Sequence, residues 1–142
     1  MTQSPFRIIA LQNADTDRRL VESIFARAEF DLTAFQSVRD FISYLRIQPP
    51  PRCLVMDLEL NEQSGLEVIE KVRRNERWST VPIIVLAPSV DKPKLIELSR
   101  LKISGYIVKP FQPQRLFNDV LKAMGLEVVT QKTAVKRVKT KD

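Results

Sequence analysis

Short apolar runs alternate with amphipathic segments along the chain from Phe6 to Gly125. Three of the runs are almost entirely apolar, which is typical of strands that are covered on both faces of a parallel sheet. The predicted strands are residues 7–11, a weaker 32–35, then 53–56, 82–86 and 105–108. Each is followed by a segment long enough to cross back over the sheet as a helix.

Apolar residues recur at helical spacing in the five intervening segments. We predict that Asp91 caps the fourth helix and that Gly125 follows the fifth in a left-handed conformation. Five strand–helix pairs in about 120 residues predict an α/β fold with a doubly wound, five-stranded parallel sheet. The predicted inward-facing residues are Leu20, Val21, Ile24, Phe25 and Ala28; Val38, Phe41, Ile42 and Leu45; Leu66, Val68, Ile69 and Val72; Leu95, Ile96 and Leu98; and Leu116, Phe117, Val120, Leu121 and Met124.

Composition narrows the class of protein. A chain of 142 residues fits one domain, and 44% apolar with 28% charged residues is typical of a folded globular protein. The apolar runs are too short to span a bilayer and the N-terminus lacks a signal-peptide pattern, so we expect a cytoplasmic protein. The single cysteine, Cys53, is expected to pack inside the third strand, and Trp78 to pack at the far end of the sheet. The absence of histidine and the presence of only three glycines argue against a His-based catalytic site and a phosphate-binding glycine loop.

The charge is concentrated at the C-terminus. The chain has a net charge of +6, and residues 126–142 supply +3 of it, from five basic and two acidic residues. We therefore divide the chain into a domain at 5–125 and a basic C-terminal tail at 126–142. The tail fits a solvated end, a short strand within 128–130 and 133–135, or a contact for an acidic partner, nucleic acid or a membrane surface. The sequence leaves these alternatives open.

Polar residues follow several of the predicted strands. The carboxyl ends of parallel strands meet at one edge of a doubly wound sheet, where ligands bind. A carboxylate there, Asp57, would face Lys109 from a neighbouring strand. Such an aspartate can act as a nucleophile while the ammonium stabilises a transferred phosphoryl group. The alternative is a structural ion pair at the rim of a loop.

The motifs at this edge resemble the receiver domain of bacterial two-component response regulators. The resemblance rests on residues 54–57 (LVMD), 64–67 (SGLE) and 105–111 (GYIVKPF), in this order and spacing, and it extends from about residue 6 to 125. It implies a flavodoxin-like receiver fold with strand order 2-1-3-4-5. It also implies that Asp57 stands at the phosphoacceptor position, that Lys109 contacts the phosphoryl group before a cis bond to Pro110, and that Tyr106 is the switch aromatic.

Three positions depart from the pattern that the resemblance implies. Gln12 and Asn13 stand where two acidic residues hold a divalent cation, and Ala87 replaces a hydroxyl that binds the phosphoryl group. Magnesium prefers an octahedral oxygen cage that carboxylates usually anchor. We therefore expect no cofactor, and if Mg²⁺ does bind, its ligands would be Asp57, Asn13 and Glu59. Lys109 is expected to pair directly with Asp57 in a neutral pocket.

These departures predict a pseudo-receiver rather than an enzyme. It would take part in phosphorelay (two-component) signalling by binding a sensor kinase or a downstream effector, largely without phosphorylation. One alternative is a functional receiver that is phosphorylated on Asp57 with an unusual Mg²⁺ site. The other is a nucleic-acid or membrane-surface adaptor that uses the tail, although nucleic acid is the less expected partner. The resemblance places the interaction face, or a homodimer face, on the fourth helix, fifth strand and fifth helix, at Leu95, Ser99, Tyr106 and Lys122.

Overall fold

The computed structural model describes residues 5–128 and 135–137, with side-chain exposure through residue 126. The strands are β1 (Phe6–Leu11), β2 (Phe30–Phe35), β3 (Cys53–Asp57), β4 (Ile83–Ala87), β5 (Gly105–Val108), β6 (Leu126–Val128) and β7 (Val135–Arg137). The helices are α1 (Asp15–Ile24), α2 (Val38–Ile47), α3 (Gly65–Arg74), α4 (Lys92–Arg100) and α5 (Pro113–Ala123), with a 3₁₀ turn at Glu76–Trp78.

The first five strands form one parallel sheet in the order β2-β1-β3-β4-β5, which confirms the predicted fold class and strand order. The register aligns the carboxyl ends of the central strands. Leu11 pairs with Met56, and Asp57 pairs with Leu86. The loops that follow β1, β3, β4 and β5 therefore emerge at one edge, as expected for a doubly wound sheet.

Helices cover both faces of the sheet, and the strand side chains alternate between two apolar clusters. Ile9 and Leu11 of β1 face the cluster formed with α2, α3 and α4, whereas Ile8 and Ala10 face the cluster formed with α1 and α5. Both clusters are almost fully buried. This two-sided burial explains why the strands β1, β3 and β4 are apolar without an alternating polar face.

Several predicted inward-facing residues are exposed instead. Ile96 is 57% exposed and Leu20 is 37% exposed, while Ala28 is exposed and lies beyond α1, which ends at Ile24. A short helix on a sheet buries a narrow stripe, and in α4 only Leu98 is fully buried. The weak second strand begins at Phe30, two residues earlier than predicted.

The predicted caps are confirmed. The Asp91 carboxylate accepts a hydrogen bond from the backbone N–H of Lys94 at 3.1 Å, and Gly125 has a φ of +76° just beyond α5. Trp78 is fully buried, and its indole N–H donates to the carbonyl of Gln48 at 3.0 Å. Cys53 is buried within β3, where burial raises the pKa of its thiol to about 12. Both residues pack as predicted.

The C-terminal segment contains a short antiparallel ribbon, β6–β7. Leu126 is 2% exposed and packs against the cluster on the α1 and α5 face. Among the described residues, the ribbon overlaps the predicted strand runs at Val128 and Val135. Most of the basic tail, including Lys132, Lys139 and Lys141, lies outside the described residues. The division of the chain at residue 126 stays a prediction. Within the part of the chain that the structure describes, no helix is both long and apolar enough to traverse a bilayer.

Candidate functional site

Asp57 ends β3 at the centre of the sheet edge and is 5% exposed. The Lys109 ammonium lies 3.0 Å from its Oδ1, and Gln12 donates to the same oxygen from Nε2 at 3.3 Å. The predicted Asp57–Lys109 ion pair is therefore present. It joins the end of β3 to the segment that follows β5, across the intervening strand β4.

A second carboxylate also reaches Lys109, and the sequence pattern did not predict it. Asp17, in the first turn of α1, accepts a hydrogen bond from the Lys109 ammonium at 2.9 Å through Oδ2. The expectation of a neutral pocket from a direct Asp57–Lys109 pair was wrong. Two carboxylates face one ammonium, so the group carries a formal charge of −1 when all three are ionised. The sequence carried one signal for the contact between Asp17 and Lys109, which is an acidic residue in the first turn of a helix that starts at this edge of the sheet.

The pKa shifts of the pair follow from burial and charge. Burial is the main cause that raises the pKa of Asp57, although the charge of Lys109 and the hydrogen bonds from Lys109 and Gln12 act in the opposite direction. For Lys109, burial alone would lower the pKa. The hydrogen bond to Asp17 and the charge of Asp57 outweigh that effect, so its pKa is raised. The lysine is therefore held firmly in its charged form.

Gln12 directly follows β1, contacts Asp57 and is 1% exposed. Its Nε2 donates to Asp57, while its Oε1 is the one buried side-chain polar atom without a hydrogen-bond partner among the described residues. An unsatisfied buried acceptor typically costs about 1–3 kcal/mol. Gln12 therefore presents a donor to the phosphoacceptor position, where the resemblance implies an acidic ligand.

Asn13 ties three loops together instead of facing the pocket as a free ligand. Its Nδ2 donates to the carbonyl of Gln36 at 2.7 Å and to Glu62 Oε1 at 3.1 Å, and its Oδ1 accepts from the backbone N–H of Asn61 at 2.6 Å. Glu62 Oε2 in turn accepts from the backbone N–H of Val38, at the start of α2, at 3.2 Å. We call these five residues the Asn13 clamp.

The residues of this edge do not fit the magnesium ion that the receiver family implies. Across the residues that the structure describes, no three acidic, histidine or cysteine side chains are grouped closely enough to hold a metal ion. Asp57 Oδ1 already accepts from Lys109 and Gln12, and the Asn13 oxygen is used in the clamp. Glu59, the other predicted ligand, has an exposed side chain and pairs with Ser64 through its backbone. This donor set does not form an octahedral oxygen cage.

Three further features shape the edge. Ala87 is fully buried at the end of β4 and offers a methyl group where a hydroxyl would be needed to bind a phosphoryl oxygen. Gly65 allows α3 to start against the loop, because a Cβ there would lie 2.6 Å from the carbonyl oxygen of Asp57. The peptide bond between Lys109 and Pro110 is cis, as predicted.

Tyr106 connects β5 to the loop before α4. Its hydroxyl donates to the carbonyl of Ser89 at 2.6 Å, and its half-buried ring packs against the cluster on the α2–α4 face. Of the four residues predicted for the interaction face, Tyr106 and Lys122 line a shallow groove along β5 and α5. Leu95 and Ser99 lie one turn apart on α4, outside that lining, where the Ser99 hydroxyl donates to the Leu95 carbonyl at 2.9 Å.

Comparison with known proteins identifies the family of this fold and site. Residues 8–121 match the family described as the response regulator receiver domain. The chain is 28% identical to the chemotaxis protein CheY1 of Helicobacter pylori over 112 residues, which cover 78% of this chain and 90% of that protein. A signal receiver domain from Clostridium thermocellum superposes with a TM-score of 0.76 at 25% identity, over 84% of this chain and 97% of that one. The chemotaxis response regulator CheY4 of Vibrio cholerae, at 18% identity, has the same fold with a TM-score of 0.77, over 84% and 99% of the two chains.

The chain therefore belongs to the response regulator receiver domain family. It has the CheY-like flavodoxin fold and is a receiver domain of two-component signalling. Receiver domains interact with kinases or effectors. The acidic pair after β1 and the hydroxyl after β4 that the sequence resemblance implies are replaced here by Gln12, Asn13 and Ala87.

Proposed function

We propose that this receiver is a pseudo-receiver that binds a partner protein in one fixed state of its pocket, without ordinary phosphorylation of Asp57. The observation that carries the proposal is that Asp17 engages Lys109 in addition to Asp57. The Lys109 ammonium is within 3.0 Å of Asp57 and 2.9 Å of Asp17. The cation that would contact a phosphoryl group is therefore already paired with two carboxylates of the protein itself. In this proposal the domain is not an enzyme and signals as an interaction module.

The chemistry of phosphoryl transfer supports this proposal. Such transfer depends mainly on positioning and on neutralising the charge of the transferred group, for which metal ions and fixed donors are used. Here Asn13 is held in the clamp, Gln12 aims a donor at Asp57, and Ala87 supplies no hydroxyl. The positioning of the transferred group and the neutralisation of its charge are therefore both weakened at this edge of the sheet.

A second candidate function is a slow but functional receiver. It is favoured by the intact Asp57–Lys109 pair and by the cis peptide bond after Lys109. Asp17 also brings an additional carboxylate to the edge. In this alternative, Asp57 accepts a phosphoryl group with an unusual metal arrangement. The basic-tail adaptor would depend mostly on residues beyond those described, since of the tail's basic residues only Lys136 and Arg137 are described, and no observation on the described residues favours it.

The partner we propose is a sensor kinase or a downstream effector that contacts the α4–β5–α5 face. Tyr106 supplies an aromatic anchor there, and Leu95 on α4 supplies an apolar one. Aromatic side chains are enriched among residues that dominate interface energies. The same face would serve a homodimer. The adjacent groove has a polar rim, which is formed by Lys122 and by the ion pair between Arg115 and Asp119 at 2.9 Å.

The experiment that tests this function compares a pocket variant with two face variants. Once a partner is identified, its affinity is measured by calorimetry for Asp57→Ala, Tyr106→Ala and Leu95→Asp. We expect Asp57→Ala to change the affinity by no more than a few-fold, because Lys109 keeps Asp17 as a partner. The face variants should each weaken binding by about 1–3 kcal/mol. Loss of binding in a folded Asp57→Ala protein, with normal binding by both face variants, would contradict the proposal.

A further inference from the structure

The Lys109 ammonium has two anionic neighbours that come from different elements. Asp57 approaches from the end of β3 and Asp17 from the first turn of α1, at 3.0 and 2.9 Å. The side chains of Lys109 and Asp17 are 26% and 37% exposed, whereas that of Asp57 is 7% exposed. Asp17 therefore lies on the solvent side of the lysine, at the mouth of the pocket, and Asp57 lies on the inner side.

We propose that Asp17 is a tethered anion that occupies the position on Lys109 which a phosphoryl oxygen at Asp57 would need. An ammonium has three N–H donors and no acceptor, and it binds phosphate as a point charge. An anion that enters from solvent must displace the Asp17 carboxylate from this ammonium or share the ammonium with it. Asp17 thus competes with anions for Lys109 and keeps the pocket closed.

The placement of Asp17 suits such a role. It projects from a helix whose first turn also contains Asp15, and Arg18 anchors that turn by donating to the carbonyls of Gln12 and Asn13 at 3.2 Å. The carboxylate is therefore held in place by its helix before any anion arrives. A charge that is already positioned competes effectively with a free ligand, because the free ligand must lose its translational freedom on binding.

This inference deepens the proposed function, and it rests on that function only in treating the closed pocket as the working state.

The helix α1 offers a matched control variant. Asp15 lies two residues from Asp17 in the same turn, but its carboxylate pairs with Arg18. Asp15→Asn removes the same charge from the same turn and leaves the Lys109 contact in place. Any difference between the two variants therefore reports the contact rather than the net charge.

The test uses inorganic phosphate as the probe and the side-chain ammonium of Lys109 as the reporter, observed by ¹⁵N-edited NMR and assigned with Lys109→Arg. All proteins carry Asp57→Asn, which removes the inner carboxylate so that no phosphoryl chemistry or metal ion enters the experiment. Phosphate is raised to about 50 mM at constant ionic strength, so that screening does not change during the titration. Native folding is checked from the amide spectrum.

We expect no saturable shift of the Lys109 signal in Asp57→Asn or in Asp57→Asn/Asp15→Asn. In Asp57→Asn/Asp17→Asn, phosphate should bind at Lys109 at least about tenfold more tightly. Equal responses of the two double variants, or no response from either, would overturn the inference. If Asp57→Asn/Asp17→Asn does not fold, Asp17→Asn and Asp15→Asn are compared instead, each without the Asp57→Asn substitution. The Lys109 ammonium protons should then exchange with water several-fold faster in Asp17→Asn than in Asp15→Asn, and equal exchange would overturn the inference. Failure of the proposed function would be seen separately, in partner affinity.

Discussion

The amide of Asn13 shows how one residue changes the chemistry of this receiver edge. Its nitrogen and its oxygen are both used in hydrogen bonds to the loops after β2 and β3. Glu62 completes the arrangement by bonding both Asn13 and the first turn of α2. A carboxylate at position 13 could not donate to Gln36 or Glu62, so the clamp depends on the amide.

We expect Asn13→Asp to lower the free energy of unfolding by about 1–2 kcal/mol, because two acceptors lose their donor and two carboxylates then face each other. Asn13→Asp/Glu62→Gln should recover much of this loss, since the side-chain amide introduced at position 62 can donate to the new carboxylate. Urea unfolding at neutral pH measures both variants. If Asn13→Asp is as stable as the parent protein, the clamp does not stabilise the loops.

Asp57 gives a pH-dependent prediction. Its folded-state pKa is raised from an ordinary value of 3.8, so the fold favours its protonated form. The resulting stabilisation is present below the ordinary pKa and is lost as the pH rises through the folded-state pKa. In its ionised form, Asp57 therefore costs stability. The raised pKa of Lys109 adds no slope in this range, because the lysine stays charged in both states well below 10.5.

We expect the stability of Asp57→Asn, relative to the parent protein, to increase as the pH rises from 4 to 7. Urea unfolding at the two pH values gives this difference. A relative stability that stays constant or decreases toward pH 7 would show that burial does not dominate at Asp57.

At the scale of elements, the loop between β4 and α4 is held from two sides. Asp91 caps α4 at its end of the loop, and the Tyr106 hydroxyl donates to the Ser89 carbonyl from β5. The cap could be predicted from the sequence because it is a local pattern of Asp followed by a helix. The Tyr106 contact could not, because it joins residues 17 positions apart through a side-chain rotamer that no motif specifies.

Tyr106→Phe removes this one hydrogen bond and keeps the ring. We expect the backbone amides of residues 89–91 to exchange several-fold faster and the free energy of unfolding to fall by about 0.5–1.5 kcal/mol. Tyr44→Phe is a matched control, because the Tyr44 hydroxyl bonds Arg7 at the other end of the sheet. Equal exchange of residues 89–91 in the parent and Tyr106→Phe proteins would show that the loop is held by other contacts.

At the scale of the whole molecule, the periodicity of the sequence predicted the doubly wound parallel sheet and the existence of all five helices, although the bounds of α1 and β2 differ from those predicted. Strands buried on both faces leave a strong apolar signal, and a doubly wound sheet then brings the ends of β1, β3, β4 and β5 together. The sequence predicted less well which apolar residues of each helix are buried against the sheet. Ile96 satisfies the helical period of α4 and is nevertheless 57% exposed, because the period does not specify how far the helix turns toward the sheet.

The candidate site could be predicted only in part, because the sequence pattern indicates which residues lie at the ends of strands and not which other side chains reach them. Asp57 ends β3 and Lys109 directly follows β5, so the topology of the sheet places them together. Asp17 and Glu62 reach the edge from a helix and from a loop, and their partners lie 92 and 49 positions away in the sequence. Such contacts depend on tertiary structure and not on a local pattern. They nevertheless decide the charge of the pocket and the bonding of Asn13.

We propose that this receiver pocket is closed to the metal ion and to the phosphoryl group. The most direct test is the amide NMR spectrum of the parent protein as Mg²⁺, and then Mg²⁺ with a beryllium fluoride phosphate mimic, is added. We predict that the signals of Asp57, Tyr106 and the residues of α4 do not move in a saturable way at millimolar Mg²⁺. Saturable shifts with a submillimolar dissociation constant, absent from Asp57→Asn, would contradict the claim and identify a functional phosphoacceptor.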